Sequence, residues 1–226
     1  MFLKFDDYYN FNDWQNRRLM ECQSSYYLPD KKMNICVDVG SNTGAFIKYA
    51  SSKFNKIFGF EASLNNCLKA NAYLFNNDIT NYFIHNLACY SNSGNIVKLY
   101  SIEDKNGKKR CGDASIVYTN DNNFFENVLT ISLEDVFVIC QTQEIDYLKL
   151  DCEGAEYNFL KNKEHLFKNI GIIALELHRA YLADDKAIKL LKLLRNFYNV
   201  HEKDEFNYLL LNKEKNYYLS NGKIII

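Results

Sequence analysis

Four apolar runs in this chain end in residues able to handle protons or cations. Asn34-Ile35-Cys36-Val37 leads into Asp38-Val39-Gly40, and Lys56-Ile57-Phe58-Gly59-Phe60 ends at Glu61. Ile145–Leu150 runs into Asp151-Cys152-Glu153, and Ile170–Leu175 into Glu176-Leu177-His178. Carboxylates and an imidazole serve as general bases or hold a hard divalent ion through oxygen. Ordinary solvated ends would supply one or two such cases; four on one edge is harder to dismiss. Open α/β sheets bind ligands beyond the carboxyl ends of their strands, so chemistry is expected here.

The first of these ends opens the loop Gly40-Ser41-Asn42-Thr43-Gly44. Its glycines permit tight turning and close approach of a ligand. It is not the Gly-x-Gly-x-x-Gly of dinucleotide binders, because Asn42 stands at the middle glycine. Asp38 would repel a phosphate and suits a cationic ligand; its bland alternative is to cap the loop. Glu61, 21 residues after Gly40, is placed to accept both hydroxyls of a ribose; its alternative is an acid at a helix start. A nucleoside without pyrophosphate and with a positive charge describes S-adenosylmethionine.

The elements that must carry these residues follow from periodicity. Residues 1–33 read as a separate helical and aromatic segment, with a helix over Phe11–Cys22 and a turn at Pro29-Asp30. From residue 34 to 226, strands alternate with helices, which implies βαβ units and a mostly parallel sheet. Thr43 is expected to cap a helix over Ala45–Phe54, and Ser63 one through Leu74. A strand is expected from Tyr82 to Cys89, then a β insertion near 94–131 with short strands at 96–100, 115–118 and 128–131. Ser132-Leu133-Glu134-Asp135 has the chemistry of a helix start. Helices are then read over Ala155–Phe167 and Asp184–Tyr198, the latter with Ile188, Leu191, Leu194 and Tyr198 on one face. Short strands follow near 199–202, 208–212 and the end of the chain.

Composition excludes several classes. Lys and Arg total 27 against 28 Asp and Glu, which argues against a protein that coats nucleic acid or anionic membrane. The basic triplet Lys108-Lys109-Arg110 reads as a solvated turn. No apolar run approaches the roughly 20 residues that span a bilayer, and no secretory signal is visible. Seven cysteines, irregularly spaced and without Cys-x-x-Cys, rule out a zinc ribbon and disfavour a disulfide framework. The expected location is the cytoplasm.

The strings Val37-Asp38-Val39-Gly40-Ser41-Asn42-Thr43-Gly44, Gly59-Phe60-Glu61-Ala62 with Asn65, Asn86-Leu87-Ala88, Ile131–Asp135 and Ile145–Glu156 resemble the FkbM-type family of S-adenosylmethionine-dependent methyltransferases. The match runs from about 34 to 180, and Lys149–Glu156 is its most specific part. The resemblance implies a Rossmann-like class I methyltransferase fold, with seven strands and the last one antiparallel. It also implies methyl transfer to oxygen, often a hydroxyl of a sugar, glycan or natural product. By similarity Asp38, Gly40, Asn42 and Gly44 line the methionine end and Glu61 holds the ribose, with Ser41, Ala62 and Asn65 as further cofactor-binding positions. Asn86, Leu87 and Ala88 lie near adenine, with Asp113 and Ser115 as neighbours.

An alcohol acceptor loses its proton as the new bond forms, so a base or an acidifying metal is needed. Asp151 and His178, with Glu153 beside them, form the catalytic set; Asp151 also faces the cofactor. In the alternative, Asp151, Glu176 and His178 with Glu153 hold Mg²⁺. Glu156 reads as an ordinary helix-start acid. Trp14, Tyr8, Tyr9, Tyr26 and Tyr27 form either a lid over the acceptor or packing, including an interface of a homodimer. Nucleic acid is the less favoured acceptor. An RNA methyltransferase and an inactive cofactor-binding scaffold are the competing functions.

Overall fold

The computed structural model describes residues 8–101, 114–117, 125–178 and 184–226. Strands β1 (Met33–Val39), β2 (Phe54–Glu61) and β3 (Tyr82–Asn86) share a seven-stranded sheet with β7 (Ile145–Leu150), β8 (Ile170–Glu176), β9 (Tyr198–Glu202) and β10 (Asn207–Asn212). The order is β3-β2-β1-β7-β8-β10-β9, and only β10 runs against its neighbours. This is the expected Rossmann-like arrangement, with the antiparallel strand slotted between β8 and β9.

Alternation along the strands builds two cores, one on each face. Val37, Val39, Leu148, Leu150, Ile173 and Leu175 pack against helices α4 (Leu133–Ile139), α5 (Glu156–Leu160) and α7 (Asp184–Leu194). Cys36, Ile57, Tyr147, Ile172 and Leu209 face the other way, against helices α2 (Ala45–Ala50) and α3 (Leu64–Phe75). Tyr26 and Leu28, which follow helix α1 (Tyr8–Ser25), are buried in that second core. The chain end seals the same region: Ile224 bridges to Pro29, and Lys31 Nζ donates to the Ile226 carbonyl at 2.7 Å. Ile224 lies in the hairpin of β11 (Tyr218–Ser220) and β12 (Lys223–Ile225).

Several expected boundaries move. Helix α1 starts before Phe11 and ends after Cys22. The strand expected over Tyr82–Cys89 breaks at Leu87: β3 stays in the large sheet, while β4 (Ala88–Cys89) joins a small sheet with β6 (Phe125–Ile131) and β5 (Ile96–Tyr100). Of the strand expected at 115–118, only a single bridge from Ser115 to Tyr100 is described. The helix expected over Ala155–Phe167 is two short ones, α5 and α6 (Glu164–Phe167), because Asn162 takes the left-handed conformation between them. In α7 the buried positions are Ala187, Leu190, Leu191 and Leu194; Ile188 is 66% exposed, and Tyr198 has passed into β9. Ala187 carries the inward stripe at the i, i+3, i+4, i+7 spacing, and its small side chain hid it. Ser132 caps α4 as expected, accepting from Asp135 N at 3.4 Å. No helix among the described residues is long and apolar enough to cross a membrane.

Candidate active site

The registers bring the four polar strand ends level. Val39 pairs with both Phe60 and Leu150, and Leu150 pairs with Leu175. Gly40, Glu61, Asp151 and Glu176 therefore share one edge of the sheet. Two cavities open there. The first encloses about 600 Å³, counting the part open to solvent, and is walled by Phe60, Leu87, Ala88, Leu99 and Ile116 with Glu61 and Asn66 as polar groups. The second encloses about 1020 Å³ on the same basis and is more polar, with Arg18, Cys22 and Tyr26 on one side and Ser41, Asn42, Thr43 and Glu176 on the other. They share Arg18, Gly40, Asn42, Asp151 and Glu153.

Gly40 is dictated by close approach. Its φ is +75°, and a Cβ there would sit 1.7 Å from the Asp151 carbonyl oxygen. Its N–H donates to the Phe60 carbonyl at 2.9 Å, joining β1 to β2 at the cleft floor. Glu61 is buried and holds the loops on either side: Oε2 accepts from Asn42 N and Oε1 from Ser63 N, both at 2.8 Å. Burial pushes its carboxyl above the usual range, and those N–H groups pull it back. Thr43 does not cap α2; Gly44, in the left-handed region at φ +84°, precedes the helix. Ser63 sits at the start of α3, but its hydroxyl makes no cap bond.

The remaining sequence-derived cofactor positions fall in different places. Leu87 and Ala88 line the first cavity, with Ala62 at its rim. Asn65 is exposed, and its neighbour Asn66 turns inward, 3.5 Å from Glu61 Oε1. The Asn86 amide donates to the carbonyls of Glu61 and Ala62, at 3.1 and 2.7 Å, and so props the turn from outside the cavity. Ser115 is buried behind the wall that Ala114 and Ile116 form, its hydroxyl donating to the Glu153 carbonyl at 2.6 Å. Asp113 and the Lys108–Arg110 triplet lie outside the described residues.

The ionic centre contains residues the sequence reading did not single out. Asp38 and Lys149 are cross-strand partners on one face of the sheet. The buried Lys149 ammonium lies 3.1 Å from Asp38 Oδ1 and 3.2 Å from Asp151 Oδ2, and donates to the Gly40 carbonyl at 3.0 Å. Its Nζ is also 5.7 Å from the Tyr26 ring and 5.8 Å from the Phe46 ring. Asp38 is fully buried and on the wall of neither cavity, so the cation it meets is this lysine. Burial raises the Asp38 carboxyl and Lys149 opposes that. Burial pulls Asp151 the same way, but Lys149 and His178 outweigh it and hold its pKa below the usual value.

His178 is locked from below. Its Nδ1 is 3.0 Å from Glu156 Oε1, and its Nε2 is 3.5 Å from Glu153 and 3.7 Å from Asp151. Burial would lower its pKa, but the Glu156 bond and the surrounding carboxylates raise it to about 10. Glu156 is therefore more than a helix-start acid. It is fully buried, and Oε1 also accepts from Cys152 N and Gly154 N, at 3.1 and 3.2 Å. That fixes a turn in which Glu153 and Gly154 both have positive φ. Tyr26 is part of the site wall: its hydroxyl lies 3.3 Å from Asp151 Oδ2 and 3.2 Å from Glu176 Oε2, one proton facing two carboxylates. Glu176 is raised by burial and by Asp151.

Asp151, Glu153 and His178 could each offer an atom to one ion, within 4.8 Å of one another. The chemistry of this set does not fit Mg²⁺. Mg²⁺ takes oxygen ligands in preference to an imidazole nitrogen, and the Lys149 ammonium already pairs with Asp151. Helix α1 covers the site, anchored by the buried Gln15, whose Nε2 donates to the Thr43 carbonyl at 2.9 Å. The side chains of Tyr8 and Tyr9 lie outside the described residues.

Known proteins match this arrangement at the level of fold and family. Among solved structures, a methyltransferase FkbM from Methylobacillus flagellatus KT shares 17% identity at a TM-score of 0.49, over 82% of this chain and 44% of that one. The chain thus spans less than half the length of that protein. An rRNA methylase from Streptococcus thermophilus shares 11% identity at a TM-score of 0.50, over 87% and 94%. TrmK of M. capricolum, solved with its natural cofactor product S-adenosyl-homocysteine, shares 15% at 0.47, over 88% and 68%. No curated protein matches the chain in sequence. The model of the methyltransferase FkbM domain matches residues 38–209, from the buried aspartate of β1 to the antiparallel strand β10, and the chain belongs to that family.

Proposed function

We propose that the chain transfers a methyl group from S-adenosylmethionine to a hydroxyl oxygen of a sugar, glycan or other small natural-product acceptor. The observation that carries this reading is the meeting of the two cavities at Gly40, Asn42, Asp151 and Glu153. The first cavity fits a nucleoside: apolar walls for a flat base, and one buried carboxylate, Glu61, with lone pairs left for ribose hydroxyls. The bound cofactor supplies an activated methyl, so the chain has to orient the acceptor and receive its proton.

Asp151, kept ionised by Lys149 and His178, orients the acceptor hydroxyl at the shared wall. Glu176, raised by burial and opening onto the second cavity, takes the proton. His178 and Glu156 act behind them, holding Glu153 and the 151–156 turn in place. The acceptor cavity carries Glu21, Asp151, Glu153 and Glu176 against Arg18 and Lys149. This excess of carboxylate favours a neutral acceptor over the phosphodiester of RNA.

The test is S-adenosylhomocysteine release with a panel of sugars, glycans, phenolic and polyketide alcohols, and RNA. Turnover with an uncharged hydroxyl compound supports the reading. Asp151→Asn and Glu176→Gln should each lower it about 100-fold with cofactor binding retained. Turnover with RNA alone would replace it with the RNA reading, and cofactor binding without turnover on any acceptor class would leave a scaffold.

A further inference from the structure

The hydroxyl of Tyr26 reaches the acids of the site but has no part in the chemistry given so far. Tyr26 lies ahead of residues 38–209, the stretch that the family model matches. Its ring is buried and is held without help from the hydroxyl: it packs edge-on against Phe46, centroids 5.2 Å apart, and lies 5.7 Å from the Lys149 ammonium. Its backbone is tied as well. The N–H donates to the Cys22 carbonyl at 2.9 Å, and the Tyr26 carbonyl accepts from the Tyr49 hydroxyl at 3.3 Å. The phenol oxygen is thereby set between Asp151 Oδ2 at 3.3 Å and Glu176 Oε2 at 3.2 Å, on the wall of the second cavity.

A phenol has one hydrogen to give and lone pairs with which to receive another. Asp151 Oδ2 already meets the Lys149 ammonium at 3.2 Å. His178 Nε2 stands 3.8 Å from Glu176 Oε1, beyond hydrogen-bond range. While both acids are ionised, Glu176 therefore has the greater need of the phenol hydrogen. Once Glu176 carries a proton it can donate that proton to the phenol oxygen, and the phenol hydrogen is free to turn to Asp151. One rotation of a hydroxyl keeps both acids hydrogen-bonded before and after a proton arrives.

We propose that Tyr26 is a positioning residue for proton removal: its hydroxyl hydrogen swings from Glu176 to Asp151 as Glu176 takes the proton of the acceptor. This rests on the methyl-transfer reading and on Glu176 as the base. In the balanced step the acceptor O–H bond breaks as its oxygen bonds the methyl carbon, the carbon–sulfur pair stays on sulfur, and the proton goes to Glu176. The Tyr26 O–H bond stays intact throughout. The charged groups that face Glu176 are Lys149 on β7, Asp151 at the end of that strand and His178 two residues on, and β10 sets the uncharged Asn207 in register with it. The switch gives the segment ahead of the matched domain a place in the chemistry.

Carbon-13 NMR of carboxyl-labelled glutamate tests the contact with no acceptor present, the Glu176 signal being assigned by its loss in Glu176→Gln. Tyr26→Phe keeps the ring and removes the hydrogen. A hydrogen bond to an ionised carboxylate is stronger than one to its protonated form, so the midpoint of Glu176 should rise by about one pH unit. Packing alone would leave it where it was. Turnover tests the catalytic half, with the uncharged hydroxyl compound that the acceptor panel yields. Tyr26→Phe should lower kcat about 10-fold and leave KM for S-adenosylmethionine within about twofold. In the Glu176→Gln background the same change should add nothing, because the two groups act as a unit. An unmoved midpoint, or losses that simply add in the double variant, overturns the switch and leaves the methyl-transfer reading standing. A raised midpoint in a protein that turns over no acceptor removes the methyl-transfer reading, and the role of Tyr26 in it, while the contact stands.

Discussion

Replacing His178 with Gln should flatten the pH dependence of folding stability between pH 7 and 8.5. In the folded protein the imidazole is raised to about 10: burial opposes the shift, and the Glu156 bond 3.0 Å away and the carboxylates of Asp151 and Glu153 overcome it. In the unfolded chain it titrates near 6.5. Below pH 6.5 both states carry the proton and the stabilisation is complete. Between 6.5 and 10 the folded state keeps a proton that the unfolded chain has lost. Each pH unit then removes about 1.4 kcal/mol, and above 10 the contribution is gone. From pH 7 to 8.5 the loss comes to about 2 kcal/mol. The window stops below thiol ionisation, where Cys22, Cys67 and Cys140, all pushed up to about 12 by burial, begin to add losses of the same sign. Urea midpoints at three pH values, for the protein and for His178→Gln, read the difference directly. Parallel pH dependences would show that the folded imidazole is neutral, and the ionic lock around Glu156 would have to be abandoned.

Other expectations follow from the same geometry. Gly40→Ala sets a methyl against the Asp151 carbonyl in a left-handed backbone, so it should destabilise by several kcal/mol (about 3) and abolish cofactor binding; a stable, binding-competent variant would mean that the ends of β1 and β7 are not in contact. Lys149→Met strands Asp38 as a buried carboxylate and should cost about 3–5 kcal/mol, a fall in Tm of about 10 °C. A loss below about 1 kcal/mol would show Asp38 to be protonated. Glu61→Gln should weaken S-adenosylhomocysteine about 10-fold or more by calorimetry, and an unchanged affinity would remove Glu61 from the ribose.

The strand ends were legible because short apolar runs closed by acids need no tertiary information, and the parallel registers then bring them level. What escaped the sequence lay on elements whose inward face is set by packing. Arg18 sits on a helix without a clear apolar stripe, so it did not announce that it faces the site, and for Tyr26 the sequence left lid and packing as alternatives. Lys149 was visible in its motif, but its role depends on Asp38 being its cross-strand partner. Glu156 follows a turn of two positive-φ residues, Glu153 and Gly154, and only that turn aims it back at His178. Asn65 and Asn66 differ by one helical position, and periodicity alone did not say which turns inward. The Mg²⁺ expectation counted carboxylates along the sequence; that the Lys149 ammonium pairs with Asp151 appears only in three dimensions.

A crystal structure with S-adenosylhomocysteine tests the central claim most directly. The account predicts the ribose hydroxyls on Glu61, the base between Leu87 and Ile116, and the sulfur at the Gly40–Asp151 wall facing the second cavity. Adenosine seated elsewhere, or the sulfur turned away from Asp151 and Glu176, would contradict it.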